Sequence, residues 1–459
     1  MNKATFSSSD TLPYGEVLKL AWPASIAASV TPLLGTADVW ALGHSTRPLD
    51  IAAVGLAAVI FSLAYWTFGF IRMSVAGLVA QAAGADDEAE ARAALMRGVL
   101  LGGAIGATLL VAQKPIADLS VPLLGLGSNA SDETLSAARR YFEIRIWGAP
   151  FALATYALFG WLSARSRTDY LMAASVFITF LNIALDWHFV INLDHGAAGV
   201  ALGTMIAEIA GFFVTAGFSI LVMAQHGGVK SHWPEEGIAD LFSADKMKRT
   251  LSVNRDIFIR TLLLAASYAW FVQRGGAFGD VTLAANQTLM QLFLFTGLAL
   301  DGTAIAAETL VGRAIGMKDK DQGLVKYQNA VRATFILAIA SAAIFSLAYW
   351  LLGGALVGLL TPDGAIRTTA DAYLPWVIMS PLVVTAGFQL DGIFIGATRA
   401  KEMRDGMIIT TIVFLPLTLL LEKSFGNHGL WAAFTAYFLL RAGTLWIFMP
   451  RIAREFSKR

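Results

Sequence analysis

Apolar and polar positions along this chain fall into long blocks. Twelve runs are apolar enough, at limits 15–44, 51–81, 92–112, 134–163, 169–192, 197–225, 250–274, 282–313, 327–353, 369–397, 405–423 and 428–450, to cross a hydrocarbon layer that takes about 20 helical residues. Only a helix or a closed barrel satisfies its own backbone in lipid, and blocks of this length predict helices. Several runs exceed the minimum, which predicts tilt, kinks or protruding ends. Abundant small residues suit close helix packing in lipid. The longest polar interruption, "QHGGVKSHWPEEGIADLFSADKMKR", falls between spans six and seven and reads as a linker with one short amphipathic piece. The expected fold is an all-α integral membrane protein of twelve transmembrane helices. Its domains are a six-helix lobe over 1–225, a cytoplasmic linker over 226–249 and a second six-helix lobe over 250–459, with no soluble catalytic domain.

The pattern repeats. "IAAVGLAAVIFSLAYW" from Ile51 aligns with "LAANQTLMQLFLFTGL" from Leu283 at an offset of 232, which also brings "LVAQAAGADDEAEA" from Leu78 onto "LVGRAIGMKDKDQG" from Leu310. The same register pairs Gly160 with Gly392 and Arg167 with Arg399; further on, "FLNIALD" meets "FLPLTLL" and "HGAAG" meets "HGLWA" with slips of one or two residues. Six spans plus six starting from the same side predict parallel pseudo-symmetric repeats, an arrangement that encloses a central cavity alternating between faces.

Composition agrees with a membrane chain: 459 residues, 56% hydrophobic and 15% charged, with mean hydropathy +0.62, against about 45–50% apolar and about 25% charged in soluble domains. A net charge of +1 gives no electrostatic case for nucleic acid. Absent cysteines exclude disulfides, thiol catalysis and cysteine–metal sites. The opening "MNKATFSSSDTL" is polar and lacks a signal-peptide pattern, so the first long apolar segment is expected to direct insertion and to stay. Lys and Arg in the connections favour the side holding both termini by more than three to one, which predicts cytoplasmic termini and an inner-membrane, multi-pass location.

Against this background the polar residues inside the spans stand out. In "FITFLNIALDWHFVIN" (Phe177 to Asn192), Asn182 and Asp186 lie four residues apart, on one helical face. Asp38 sits near the outer end of span one, six residues before His44, and Thr204 lies about eight residues into span six, so three helices bring Asp38, Asn182, Asp186 and Thr204 to similar depth. Facing a shared interior costs far less than facing lipid. In the repeat register Asp38 falls opposite Trp270 and Asp186 opposite Leu420, which confines the carboxylates to the N-terminal half. Burial and a neighbouring carboxylate both disfavour the ionised form of an acid, so such a pair can take a proton on one side and release it on the other. Two carboxylates with amide and hydroxyl oxygens also make a hard oxygen cage for sodium. Residue types leave both open.

Other polar groups are weaker candidates. Glu208 shares a face with Thr204 and is a secondary proton or cation site or a packing contact; Asp391 and Tyr141 are further secondary candidates. Asp301 and Glu308 fit a structural hydrogen bond as well as a substrate contact. Arg72, Arg260 and Arg441 read as paired or snorkelling residues, and His188 as interfacial. Pro23 and Pro32 should bend span one, since each removes a backbone hydrogen bond. Phe61, Tyr65, Trp66, Trp147, Tyr156, Met290 and Phe293 are read either as lipid-facing anchors or as lining of a deformable cavity for amphipathic ligands.

With these residues placed, the chain resembles the multidrug and toxic compound extrusion (MATE) family, and within it the DinF-like branch. The resemblance rests on "P…TADVWALGH" with Asp38 in span one and on "LNIALDWHFV…HGAAGVALGT" with Asn182, Asp186 and Thr204. It implies a cation site at those four positions, a hinge at Pro23, and export of amphipathic, often cationic compounds in exchange for protons or sodium, with no cofactor and as a monomer. Asp391 matches an acidic position of the other bacterial branch in span ten, whereas span seven lacks that branch's acid. The nearest rival is a flippase for lipid or polyprenyl-linked precursors, which needs a strongly cationic cavity. An enzyme is disfavoured, because "HWPEE" and "NLDHG" lack metal-ligand or triad spacing. A passive channel fits the one-sided carboxylates less well.

Overall fold

The computed structural model describes residues 12–43, 48–125, 131–225 and 243–457. His44 and most of the expected linker, 226–242 with its "HWPEE" stretch, lie outside the described residues. Among the described residues every regular element is helical. Ten helices are long and apolar enough to span a membrane. The last of them, Ala400–Phe456, contains two segments joined at Gly426 (φ 58°, ψ −138°). Ala244–Gly276 is a further helix of 33 residues, which brings the segments to twelve.

The first half runs α1 (Tyr14–Gly43), α2 (Pro48–Phe68), α3 (Phe70–Gly84), α4 (Glu88–Val111), α5 (Gln113–Gly125), α6 (Asp132–Arg145), α7 (Ala149–Ala164), α8 (Thr168–Asp186) and α9 (Gly196–Gln225). The second half runs α10 (Ala244–Gly276), α11 (Asp280–Gly316), α12 (Lys320–Leu360), α13 (Gly364–Gly396) and α14 (Ala400–Ala453).

Three of the expected spans are interrupted. Span two breaks at Gly69 into α2 and α3. Span four breaks at a 3₁₀ turn, Ile146–Gly148, ahead of Pro150 in the first turn of α7, where a missing backbone donor costs nothing. Span five leaves α-helical winding after Asp186 and continues as a π-helical turn, Trp187–Asn192. The short helix α5 was not expected. It buries Ala117 and Val121, one turn apart, which gives it one apolar face. Helix α1 is continuous in backbone assignment through both prolines.

Contacts divide the chain into two compact units. One holds Ile26–Val79 and Asp87–Thr250; the other holds Met1–Ser25, Ala80–Asp86 and Leu251–Arg459. The cut through α1 has a structural reason. The hydroxyl of Ser25 donates to the carbonyl of Ala299 at 2.7 Å, and Gly302 has no room for a Cβ against Ala21 and Ser25. Gln81 likewise donates to the carbonyl of Gly396 at 3.0 Å.

The repeat is visible in backbone detail. A Cβ on Gly160 would collide with the carbonyl oxygen of Arg72, and one on Gly392 with that of Ala304; the register that pairs the glycines also pairs their partners. Each unit thus has the same close helix crossing, made possible by a missing side chain. The turns that follow also correspond. Ser166 (φ 58°) and Thr398 (φ 52°) are both left-handed, and the next amides, of Arg167 and Arg399, reach back to Leu162 and Phe394 at 2.8 and 2.9 Å.

Adding a side chain at either crossing should be costly, because the obstacle is backbone. Gly160→Ala and Gly392→Ala are each expected to lose about 1–3 kcal/mol, read as a lower unfolding temperature in detergent. Gly103→Ala, with nothing within 4 Å of the new Cβ, should be neutral or gain up to about 1 kcal/mol of helix propensity.

Candidate functional site

The acid pair is assembled in the unit that holds most of the first half. Asp186 ends α8 and is fully buried, while Asp38, in the last two turns of α1, is 8% exposed. Their carboxyl groups lie within hydrogen-bonding reach of each other. As carboxylates neither has a hydrogen to give. Accordingly both oxygens of Asp186 and Oδ1 of Asp38 lack a donor.

One turn deeper, Asn182 is also fully buried. Its Nδ2 donates to Thr204 Oγ1 at 3.1 Å, and that hydroxyl donates in turn to the carbonyl of Val200 at 2.9 Å. Asn182 Oδ1 has no donor. Gly203, on α9, makes the space: a Cβ there would stand 2.5 Å from Asp186 Oδ1. The site is thus a set of buried acceptors short of donors. Leaving such groups unpaired costs about 1–3 kcal/mol each, more when charged, and a proton or another cation would remove that cost. Among the described residues no three His, Cys, Asp or Glu side chains converge as metal ligands.

A second cluster adjoins the pair. Glu208 accepts from the hydroxyl of Tyr65 at 3.3 Å and from Arg145 at 3.4 Å. Arg145 also donates to the hydroxyl of Tyr141 at 2.8 Å. Its guanidinium lies 4.5 Å from the ring centre of Phe61 and 5.8 Å from those of Tyr65 and Tyr141. It interacts electrostatically with Asp38, and Tyr156 interacts with both Glu208 and Arg145. Arg145 is the last residue of α6, a position where the helix dipole favours a cation.

A family model described as MatE matches the chain twice, over residues 23–188 and 257–422. The chain belongs to the MatE family. It is 35% identical over 434 residues to the DNA damage-inducible protein F of Escherichia coli (strain K12), covering 93% of this chain and 90% of that protein, which puts it in the DinF-like branch. It is 21% identical to the multidrug export protein MepA of Staphylococcus aureus (strain MRSA252), covering 90% and 88%. The fold matches that of the Vibrio cholerae MATE transporter VcmN in its bent form at a TM-score of 0.82, with 17% identity and 97% and 98% of the two chains covered. MatE proteins are multi-pass membrane transporters and not enzymes, and this chain shares their two-lobe architecture.

Not every sequence candidate in this MatE chain joins the site. Asp391 is buried in the other unit, and one of its oxygens accepts from both Arg260 and Arg441. It anchors two guanidinium groups and is not a free carboxylate for a coupling cation. Glu208 is likewise ion-paired. Phe61, Tyr65 and Tyr156 surround the Arg145–Glu208 pair, whereas Trp66 and Trp147 are 46% and 55% exposed. Met290 and Phe293 belong to the apolar core of the second unit. Pro23 is buried in the part of α1 that packs with that unit. His188 is exposed on the π turn.

Arg145 is not among the residues that the sequence pattern singles out. The available signal was a charge in the middle of span four, in "YFEIRIWGAP", which should have needed a buried partner.

Gly203→Ala in this site is expected to push the Asp186 carboxyl aside and to lower transport by about tenfold, equivalent to roughly 1.4 kcal/mol, with little change in unfolding temperature. Gly217→Ala, which meets nothing within 4 Å, is the control. Equal transport by the two variants would mean that the position of Asp186 is not critical.

Proposed function

We propose that this protein is a secondary active antiporter. It exports amphipathic, often cationic compounds, and it is driven by protons, or by sodium, taken up at Asp38 and Asp186 with Asn182 and Thr204 beside them. One observation carries this reading: two carboxyl groups buried in a membrane helix bundle lie beside each other while three of their oxygens lack a donor. A hydrogen bond between two carboxyls needs a proton, and a site that is complete only with an added positive charge is suited to gaining and losing one. The S. aureus relative is named a multidrug export protein, which supports the substrate class.

In the proposed cycle the pair takes up a cation from outside, α1 bends near Pro23, the chamber beside the pair contracts, and the compound leaves outward. The cation is then released to the cytoplasm. The reading places both termini in the cytoplasm, the protein in the inner membrane as a monomer, and the two lobes over 1–225 and 250–459. A flippase for anionic lipid precursors would need free cations in its cavity, and Arg260 and Arg441 are both committed to Asp391.

The test is efflux of a fluorescent organic cation from proteoliposomes, with pH and sodium gradients imposed separately. Asp38→Asn and Asp186→Asn should each reduce gradient-driven efflux by about tenfold or more while the protein stays folded. Efflux that keeps its rate and its gradient dependence in both variants would refute the assignment.

A further inference from the structure

The guanidinium of Arg145 is held differently from those of Arg260 and Arg441. Arg260 and Arg441 converge on a carboxylate. Arg145 makes its short hydrogen bond to a neutral hydroxyl, that of Tyr141 at 2.8 Å. Its contact with Glu208 is long, at 3.4 Å. What surrounds it is mostly aromatic: Phe61, Tyr65 and Tyr141 present rings at 4.5 to 5.8 Å. Aromatic faces around one carboxylate are the chemistry that recognises an organic cation in a desolvated place.

We propose that the box formed by Phe61, Tyr65, Tyr141 and Glu208 is the binding site for the cationic head of the exported compound, and that Arg145 occupies it as a built-in substitute when no compound is bound. The inference rests on the antiport reading above and supplies its link between compound and proton.

A cation entering the box must displace Arg145. The acids facing the guanidinium are Glu208 on α9, Asp38 on α1 and Asp186 on α8, with the hydroxyls of Tyr65 on α2, Tyr141 on α6 and Tyr156 on α7. Once Glu208 is taken, the acid pair is the remaining carboxylate partner, and a guanidinium fork can bridge two carboxylates. A positive charge beside the pair favours its ionised form, so the proton shared by Asp38 and Asp186 departs to water. One organic cation enters and one proton leaves. The net charge buried in the membrane is unchanged, which avoids the several kcal/mol that an added uncompensated charge would cost.

The test uses the full-length protein in nanodiscs and tetraphenylphosphonium, a cation with no proton of its own. Calorimetry in buffers of different ionisation enthalpy gives both affinity and protons released. The unmodified protein should release about one proton per cation bound at a pH where the pair is protonated. Arg145→Gln, which removes the internal competitor, should bind the cation about tenfold tighter and release far less proton. Arg145→Lys, which keeps the charge but loses the planar fork, should show a smaller gain and retain proton release. Phe61→Leu should weaken binding about tenfold with or without Arg145.

Unchanged or weaker binding by Arg145→Gln, or proton release equal to that of the unmodified protein, would overturn the proposal. Should Arg145→Gln not fold, unaltered affinity in both Arg145→Lys and Phe61→Leu would overturn it. Such results alongside pH-driven efflux by the unmodified protein would leave the antiport reading standing. Absence of gradient-driven efflux would instead remove that reading, and this proposal with it.

Discussion

The cost of leaving a polar group unpaired away from water governs this structure. A bilayer offers no solvent to rescue a stray donor or acceptor, so each polar side chain among the helices must find a partner or wait for one. Most find one. Thr and Ser hydroxyls return to the carbonyl one turn back, as Thr215 does to Gly211 and Thr418 to Phe414. Asn286 and Asn427 exchange amide hydrogen bonds and take in the indole of Trp431. Asp391 holds two arginines. Among the described residues that keep acceptors without a donor, Asp38, Asn182 and Asp186 lie together, and they define the candidate site.

The two units solve the same packing problem and then part in chemistry. Each brings two helices together at a glycine, Gly160 in one and Gly392 in the other, and each follows that crossing with a left-handed turn. Onto this shared frame the first unit mounts carboxyls that lack donors, and the second mounts a carboxylate that is fully engaged. A duplicated scaffold thus carries carboxyls without donors in one copy and a carboxylate shared by two guanidinium groups in the other.

Hydropathy made the spans readable because lipid exposure leaves long apolar blocks, and the candidate residues Asp38, Asn182, Asp186 and Thr204 were readable because their helical spacing and depth could be counted. Asn182 and Thr204 do meet, and so do Asp38 and Asp186. What could not be read depends on partners far apart in sequence. Arg145 belongs to a helix that breaks in mid-span, and its carboxylate, Glu208, comes from another helix. The pairing of Asp391 required knowing that Arg260 and Arg441 converge from two different helices. Trp66 and Trp147 carry the right residue type, but which way a ring turns is decided by packing and not by composition.

The π turn at Trp187–Asn192 bears on how such a protein can change over generations. A wide turn of this kind accommodates one residue more than regular winding. Losing that residue would rewind the segment and rotate the residues up to Asn192 by about 100° around the axis, while Asp186, on the near side, stayed where it is. Single-codon insertions and deletions there offer a route by which the end of this span could be re-aimed across a lineage, provided the connection to α9 keeps Gly203 and Thr204 beside Asp186 and Asn182.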